Sequence, residues 1–265
     1  MSLTIGPASI DLDQLLALAK QAGAAILSVY NNGEESSRVT LKEDRSPLTE
    51  ADRLSHDIIL AGLTQLTPGI PVLSEEGPQV SYEIRQGWEC YWCVDPLDGT
   101  KEFIQRNGEF TVNIALLYKK EPVLGVIYIP VQDVLYYGAE ETGSWKIADG
   151  QAPVRLHTDE RPSQWVALGS RSHSAPEEAE IMARYPIGRR ISAGSSLKFC
   201  LIAEGAAHLY YRHGPTMEWD TAAGHAIVRY SGGMLTQPSG EPFPYNKPSL
   251  LNGPFLCGIK QAFRK

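Results

Sequence analysis

The chain has 265 residues, 43% of them hydrophobic and 21% charged, with a formal net charge of −7 at pH 7. Such a composition suits a globular protein that buries one large core or two modest fused ones, and it excludes disorder as the default state. The negative balance excludes a nucleic-acid polymer as the main partner, because neutralising many phosphates takes clustered Lys and Arg.

Asp11 to Tyr30 carries apolar residues at Leu12, Leu15, Leu16, Ala19, Ala22, Ile26 and Val29, close to the 3.6-residue period, with Asn31, Asn32 and Gly33 ending it. This predicts an amphipathic helix. Thr49-Glu50-Ala51-Asp52 has the form of a helix start, a hydroxyl followed three residues later by a carboxylate, and Leu54, Ile58, Ile59 and Leu63 continue an apolar face up to Thr67-Pro68-Gly69. From Ile70 the pattern changes to short β-rich runs: Ile70 to Leu73, Tyr91 to Val94, Phe110 to Tyr118, Val123 to Ile129, Val134 to Gly138 and Ser144 to Ala148. Strands behind two helices predict an α+β layer with a largely antiparallel sheet. The polar stretch Asp149 to Pro162 is the expected boundary, dividing the chain into residues 1–152 and 153–265. Beyond it, strand signals at Trp165 to Gly169, Ala207 to Tyr211 and Met234 to Gln237 alternate with helical ones at Leu197 to Glu204 and Thr221 to Tyr230, which predicts a smaller α/β unit.

No apolar stretch approaches the roughly 20 residues of a membrane span, and Met1 leads into no basic-then-apolar signal pattern. Cys90, Cys93, Cys200 and Cys257 are too few for a disulfide scaffold in a chain this size. A reducing, cytoplasmic compartment fits, with attachment to the inner face of a cell membrane left open. Cys90-Tyr91-Trp92-Cys93 matches C-x-x-C, but in the strand predicted there the two thiols point to opposite faces, and no second pair completes a zinc site. Asp11-Leu12-Asp13 has the spacing of an aspartyl-phosphate D-x-D, yet no strand is expected before it and a helix follows at once.

The most informative stretch is Val94-Asp95-Pro96-Leu97-Asp98-Gly99-Thr100-Lys101-Glu102-Phe103. A strand is expected to end at Asp95, Pro96 to stop pairing, and Gly99 to permit a tight turn into a short helix. Two carboxylates three positions apart then stand beside a helix N-terminus, a cradle for phosphate. The turn also exposes the Leu97 carbonyl, a hard oxygen ligand. Ser74-Glu75-Glu76-Gly77 ends another apolar strand in acids, and Glu218-Trp219-Asp220-Thr221 places Asp220 where a helix begins. Oxygen-only donors suit Mg²⁺ or Mn²⁺, and no His or Cys cluster competes for them. Taken singly, each acid reads equally as a helix cap or a solvated turn residue. Together, carboxylates about 4 Å apart repel by roughly 4 kcal/mol per pair at an effective dielectric near 20, a conflict that bound cations would resolve.

V-D-P-L-D-G-T-K-E-F, with S-E-E before it and W-D-T-A-A-G-H-A after it, resembles the paired motifs of the inositol monophosphatase superfamily. Gly194 to Cys200 (G-S-S-L-K-F-C) and Arg106 to Ala115 (R-N-G-E-F-T-V-N-I-A) resemble its bacterial 3′(2′),5′-bisphosphate nucleotidase branch, and motif order matches from about Asp11 to Leu235. The resemblance implies a layered αβαβα sandwich. It also implies two or three Mg²⁺ ions on Glu75, Asp95, the Leu97 carbonyl, Asp98 and Asp220, with Thr100 and Asp52 orienting and deprotonating the attacking water alongside Glu75. The ester phosphate would meet Glu75, Leu97, Asp98, Gly99, Thr100 and Asp220.

Inositol-hydrolysing members place a Glu where this chain has about Arg212, and a cation there points toward a substrate with a second phosphate. Lys198 and Arg171 are further candidates for that phosphate, and Gly194 and Ser195 for donors to phosphate or ribose. The implied reaction is removal of the 3′-phosphate of adenosine 3′,5′-bisphosphate, a by-product of sulfate assimilation, to give AMP, with Li⁺ as inhibitor. An inositol monophosphatase or a fructose bisphosphatase shares the metal motifs, and a catalytically silent nucleotide sensor is the alternative of another class. The expected partner is a phosphorylated nucleotide, and the chain a monomer or homodimer.

Overall fold

The computed structural model describes residues 1–32, 39–41, 47–158, 162–170 and 176–264. In chain order the elements begin with β1 (Ser2–Ile5), β2 (Ala8–Asp11), α1 (Leu12–Asn31), β3 (Val39–Leu41), β4 (Pro47–Thr49), α2 (Glu50–Leu66), β5 (Val72–Ser74), α3 (Tyr82–Arg85), β6 (Cys90–Asp98) and α4 (Thr100–Ile104). Then follow β7 (Thr111–Tyr118), β8 (Glu121–Ile129), β9 (Val134–Ala139), β10 (Gly143–Ala148), β11 (Val154–Arg155), β12 (Trp165–Ser170), α5 (Pro176–Met182), β13 (Ile187–Ala193) and α6 (Leu197–Ala203). The chain closes with β14 (Leu209–Arg212), β15 (Thr216–Met217), α7 (Glu218–Tyr230), β16 (Met234–Thr236), β17 (Leu251–Asn252) and β18 (Phe255–Gly258).

Two sheets organise these elements. The larger has seven strands in the order β11-β10-β9-β8-β7-β6-β5, antiparallel except where β5 lies parallel to β6. The smaller has five, β13-β12-β14-β18-β16, with parallel pairs around β12 and antiparallel pairs around β18.

Burial follows the periodicities in the sequence. α1 turns Leu12, Leu15, Ala19, Ala22 and Ile26 onto the large sheet and, with α2, covers one of its faces. β6 and β7 are buried almost throughout because both faces are covered, which is why they read as continuous apolar runs. Alternation persists within them: Cys90, Trp92 and Val94 join the core under α1 and α2, while Tyr91 and Cys93 join the second core on the opposite face. The two thiols of the C-x-x-C therefore face opposite ways, and all four cysteines are buried and unpaired. α7 fills the gap between the sheets and is buried on most of its circumference. Its approach to β8 is so close that a Cβ at Gly125 would run into the Ala223 carbonyl. Residues of α5 and the last turn of the chain cover the outer face of the small sheet through Met182 and Ala262. The layers thus run α, β, α, β, α.

Several expectations change. A boundary at 152/153 leaves β11 on the far side of it although β11 pairs with β10, and the second core mixes residues from both halves. A strand does precede Asp11-Leu12-Asp13, the short β2, which pairs with β1. Asp11 caps α1, accepting from the N–H groups of Asp13 and Gln14 at 3.1 and 3.3 Å. β6 does not stop at Asp95: it resumes at Asp98, paired with Thr111, across a bulge that accommodates Pro96 and Leu97. Gly33 and Arg171 lie outside the described residues.

Candidate functional site

Three chain segments bring their acids together in a cleft between the sheets. Glu75 follows β5, Asp95 sits at the bulge of β6, and Asp220 is the third residue of α7. One carboxylate oxygen from each lies within 4.8 Å of the others. The bulge explains the local geometry: Pro96 has no N–H to contribute to the ladder, the Leu97 N–H turns back to Asp95 Oδ1 at 3.1 Å, and Ser55 on α2 donates to the Pro96 carbonyl at 2.7 Å. Gly99 follows with φ +93°, a conformation that strains residues bearing a Cβ, and this bend carries the chain into α4. Helix α4 has only five residues, so its dipole is smaller than the sequence suggested.

Asp98 stands apart from the tight trio but lines the same cavity, whose volume is about 250 Å³. Its Oδ2 accepts from Ser196 Oγ at 2.6 Å and from Asn113 Nδ2 at 3.3 Å. Ser196 Oγ is also 3.1 Å from the Asp220 carbonyl and accepts from Asn113 Nδ2 at 2.8 Å, so one hydroxyl links the β6 turn, the β7 strand and the start of α7. Neither Ser196 nor Asn113 stands out in the sequence. Both lie inside quoted motifs, in G-S-S-L-K and T-V-N-I-A, and the only earlier signal is a polar residue interrupting an apolar run.

Burial raises Asp95 well above the ordinary carboxylate range, and the neighbouring charges of Glu75, Asp98 and Asp220 push it further. Asp220 is raised well above it too, by burial first and then by Asp98 and Glu75. Asp98 is raised by burial, partly offset by its bond to Ser196. The bonds from Ser196 and Asn113 and the charges of Lys198 and Arg212 offset only part of this.

Thr100 and Asp52 meet across the cleft wall. Thr100 Oγ1 lies 3.3 Å from Asp52 Oδ1 and 3.5 Å from the Leu97 carbonyl. Asp52 is also the third helical residue of the capping box at Thr49, its Oδ2 accepting from the Thr49 N–H at 2.8 Å and Thr49 Oγ1 at 2.6 Å. The cap and the contact with Thr100 therefore coexist, one on each carboxylate oxygen.

The same cavity is also lined by cations. Lys198 is 5% exposed, and its Nζ donates to the carbonyls of Ser195 (2.6 Å) and Ala193 (3.1 Å) while lying 5.4 Å from the Tyr210 ring centroid. Burial, the largest cause, pulls it down to about 8. Arg212 also lines the cavity, its guanidinium held by the carbonyls of Gly214 and Pro215 at 3.2 and 3.3 Å. Ser195 is in the left-handed region at φ +39°, with a buried Oγ that has no hydrogen-bond partner. Gly194 departs from expectation: its N–H donates to Glu109 Oε2 at 2.7 Å and is not available to a ligand.

Comparisons with known proteins agree with this architecture. The sequence profile of the Inositol monophosphatase family matches residues 11–262. The 3′(2′),5′-bisphosphate nucleotidase CysQ of Escherichia coli strain K12 is 49% identical over 249 residues, spanning 94% of this chain and 99% of that protein. Its counterpart in Salmonella typhimurium is 50% identical with the same coverage. The crystal structure of CysQ from Bacteroides thetaiotaomicron superposes with a TM-score of 0.82 at 44% identity, covering 96% of this chain and 98% of that one. With a profile match over nearly its whole length and relatives of such identity, the chain belongs to the inositol monophosphatase family.

Proposed function

We propose that the protein is a metal-dependent phosphomonoesterase that removes the 3′-phosphate of adenosine 3′,5′-bisphosphate, giving AMP and phosphate. The observation that carries this reading is one cavity lined both by converging carboxylates, Asp95 among them buried, and by Lys198 and Arg212. A substrate with phosphates at two positions matches both sets, one phosphate with the cations and the other with whatever neutralises the acids. Relatives named as 3′(2′),5′-bisphosphate nucleotidases support the choice of substrate.

The residues fit a hard divalent ion. The converging donors are all oxygens, and their raised titration states the need for a cation. Glu75, Asp95, the Leu97 carbonyl, Asp98 and Asp220 would hold two or three Mg²⁺ ions, with Mn²⁺ as a substitute. When bound, the metal supplies Lewis acidity that lowers the pKa of water and neutralises charge on the phosphate and leaving oxygen.

The protein's own part is orientation and proton handling. The Thr100 hydroxyl donates to Asp52 Oδ1, so as its Oγ1 takes a proton from a neighbouring water its own proton passes to Asp52, leaving hydroxide behind. Ser196 and Asn113 hold Asp98 in one rotamer, so its second oxygen stays directed at the cavity. Arg212, fixed by two carbonyls, presents the rest of its fork to an anion. A cytoplasmic setting agrees with four buried, unpaired thiols, and among the described residues no helix is long and apolar enough to cross a membrane.

The test is phosphate release from adenosine 3′,5′-bisphosphate and from inositol 1-phosphate, each with Mg²⁺, EDTA or added Li⁺. The bisphosphate with Mg²⁺ should turn over fastest, EDTA should abolish release and Li⁺ should lower it. Faster release from inositol 1-phosphate would reverse the substrate assignment.

A further inference from the structure

Glu75 and Asp220 come from elements far apart in sequence, yet their carboxylates must be held a few ångströms apart. The Glu75 N–H donates to the Val94 carbonyl at 3.1 Å, and the residue borders a second cavity of about 650 Å³. Beyond that cavity's wall a buried polar brace ties Arg85, at the end of α3, to the first turn of α7.

Its centre is Glu218, fully buried two residues before Asp220. Glu218 accepts from the N–H groups of Asn246 (2.8 Å) and Lys247 (3.0 Å) and from Lys247 Nζ (2.6 Å). Lys247 Nζ also donates to Asn252 Oδ1 at 2.9 Å, and Asn252 Nδ2 donates to the carbonyl of Met217, the residue capping α7, at 2.7 Å. Across the gap, Arg85 at the end of α3 donates from Nη1 to Asn246 Oδ1 (2.9 Å) and from Nη2 to the Pro248 carbonyl (2.8 Å), while Asn246 Nδ2 returns a bond to the Arg85 carbonyl at 2.7 Å. The chain of bonds is therefore continuous from Arg85, through Asn246 and Glu218, to the helix that bears Asp220.

Burying a guanidinium on neutral acceptors, and a carboxylate with its lysine, is costly compared with an apolar contact of equal size. What such a network provides is a fixed distance, because its donors and acceptors, the buried Arg85 Nε excepted, are satisfied in one geometry. We infer that Arg85 and Lys247 are positioning residues that set the separation of Glu75 and Asp220, and through it the protein's affinity for divalent metal. This inference rests on the metal site proposed above.

The experiment is equilibrium dialysis of Mn²⁺ against the substrate-free protein, for the wild type, Arg85→Met, Lys247→Met and Arg85→Lys, each well below its melting temperature. The Mn²⁺ dissociation constant should rise by about tenfold or more in Arg85→Met and Lys247→Met, in the range found when groups that support metal ligands are removed. The Mn²⁺ concentration for half-maximal hydrolysis should rise in parallel, with kcat at saturating metal changed by less than about threefold. Arg85→Lys keeps the charge but loses the fork, and it should fall between. If either methionine variant fails to fold, Arg85→Lys carries the same test alone, with weakened Mn²⁺ binding expected. Dissociation constants within twofold of wild type in every folded variant would overturn the inference, whatever their melting temperatures. Absence of Mn²⁺ binding by the wild-type protein would instead overturn the metal site itself.

Discussion

In one cavity carboxylates from three chain segments converge, Asp95 buried and Glu75 and Asp220 half-buried, and a lysine and an arginine share the lining with aromatic rings. The two sets handle like charge differently. Arg212 and Lys198 are each fixed by backbone carbonyls, so their charges are partly met by peptide dipoles before any ligand arrives. Asp95 and Asp220 have far less help and are driven above the ordinary carboxylate range by burial and by one another. The cations are thus held by the protein alone, whereas the carboxylates carry raised values that an added cation would relieve. Mutations and metal removal should therefore affect the carboxylates more strongly.

The largest effect expected is from Asp98→Asn. It keeps the shape and the bond from Ser196 but removes a charge, and kcat for the bisphosphate should fall by at least about 10³-fold with the melting temperature little changed. Steady-state kinetics with Mg²⁺ checks this, and residual activity within tenfold of wild type would place the chemistry elsewhere.

Next in size is stabilisation by Mg²⁺. At a concentration about 100 times its dissociation constant the ion should add about 2.7 kcal/mol by mass action, roughly 5 °C or more in a chain of this size. The increment should depend on pH. Asp95, Asp98 and Asp220 have raised values in the fold, so the metal-free protein loses stability as pH rises through those values and the carboxylates ionise together. The difference between melting curves with Mg²⁺ and with EDTA should accordingly grow as pH rises above the ordinary carboxylate range, and it should shrink in Asp95→Asn. Superimposable curves at pH 8 would remove the case for a metal site.

Arg212 tests the cations. Arg212→Glu should lower kcat/KM for adenosine 3′,5′-bisphosphate by roughly 10- to 100-fold, the size of a lost charge-assisted hydrogen bond. It should change turnover of inositol 1-phosphate far less, narrowing the preference between them. An equal loss on both substrates would show that Arg212 supports the wall and does not read the second phosphate.

The two sets also differ in how far the sequence revealed them. The acids announce themselves, since Asp95, Asp98 and Glu75 end apolar strands and Asp220 opens a helix, each at a sharp change of periodicity. The large sheet was legible for the same reason. From sequence the bulge at Pro96 reads as a strand end, because a missing N–H looks the same in both cases. The small sheet was harder: β13, with Arg189 and Arg190 exposed at its edge, has little apolar alternation, and β18 pairs with strands more than forty residues upstream at β14. Second contacts were least legible. Glu109 holding Gly194, and Ser196 holding Asp98, depend on loops meeting across the cleft, which no local pattern reports.

The smallest effect expected is a pH limb from the cations. Burial pulls Lys198 down to about 8, so its charge is lost as pH rises through that value. Between about 8 and the unfolded value near 10.4 the unfolded chain binds more protons than the folded one, so this residue alone makes the fold more stable, not less, as pH rises. Binding moves the other way, because a neutral lysine no longer attracts phosphate. KM for the bisphosphate should therefore rise several-fold between pH 7 and pH 9 while the melting temperature shows no matching fall, which separates a lost contact from a loosening fold. Lys198→Met should start from a raised KM and show no such limb. A limb of unchanged position in Lys198→Met would assign it to another group, leaving Arg212 as the cation that distinguishes this cavity.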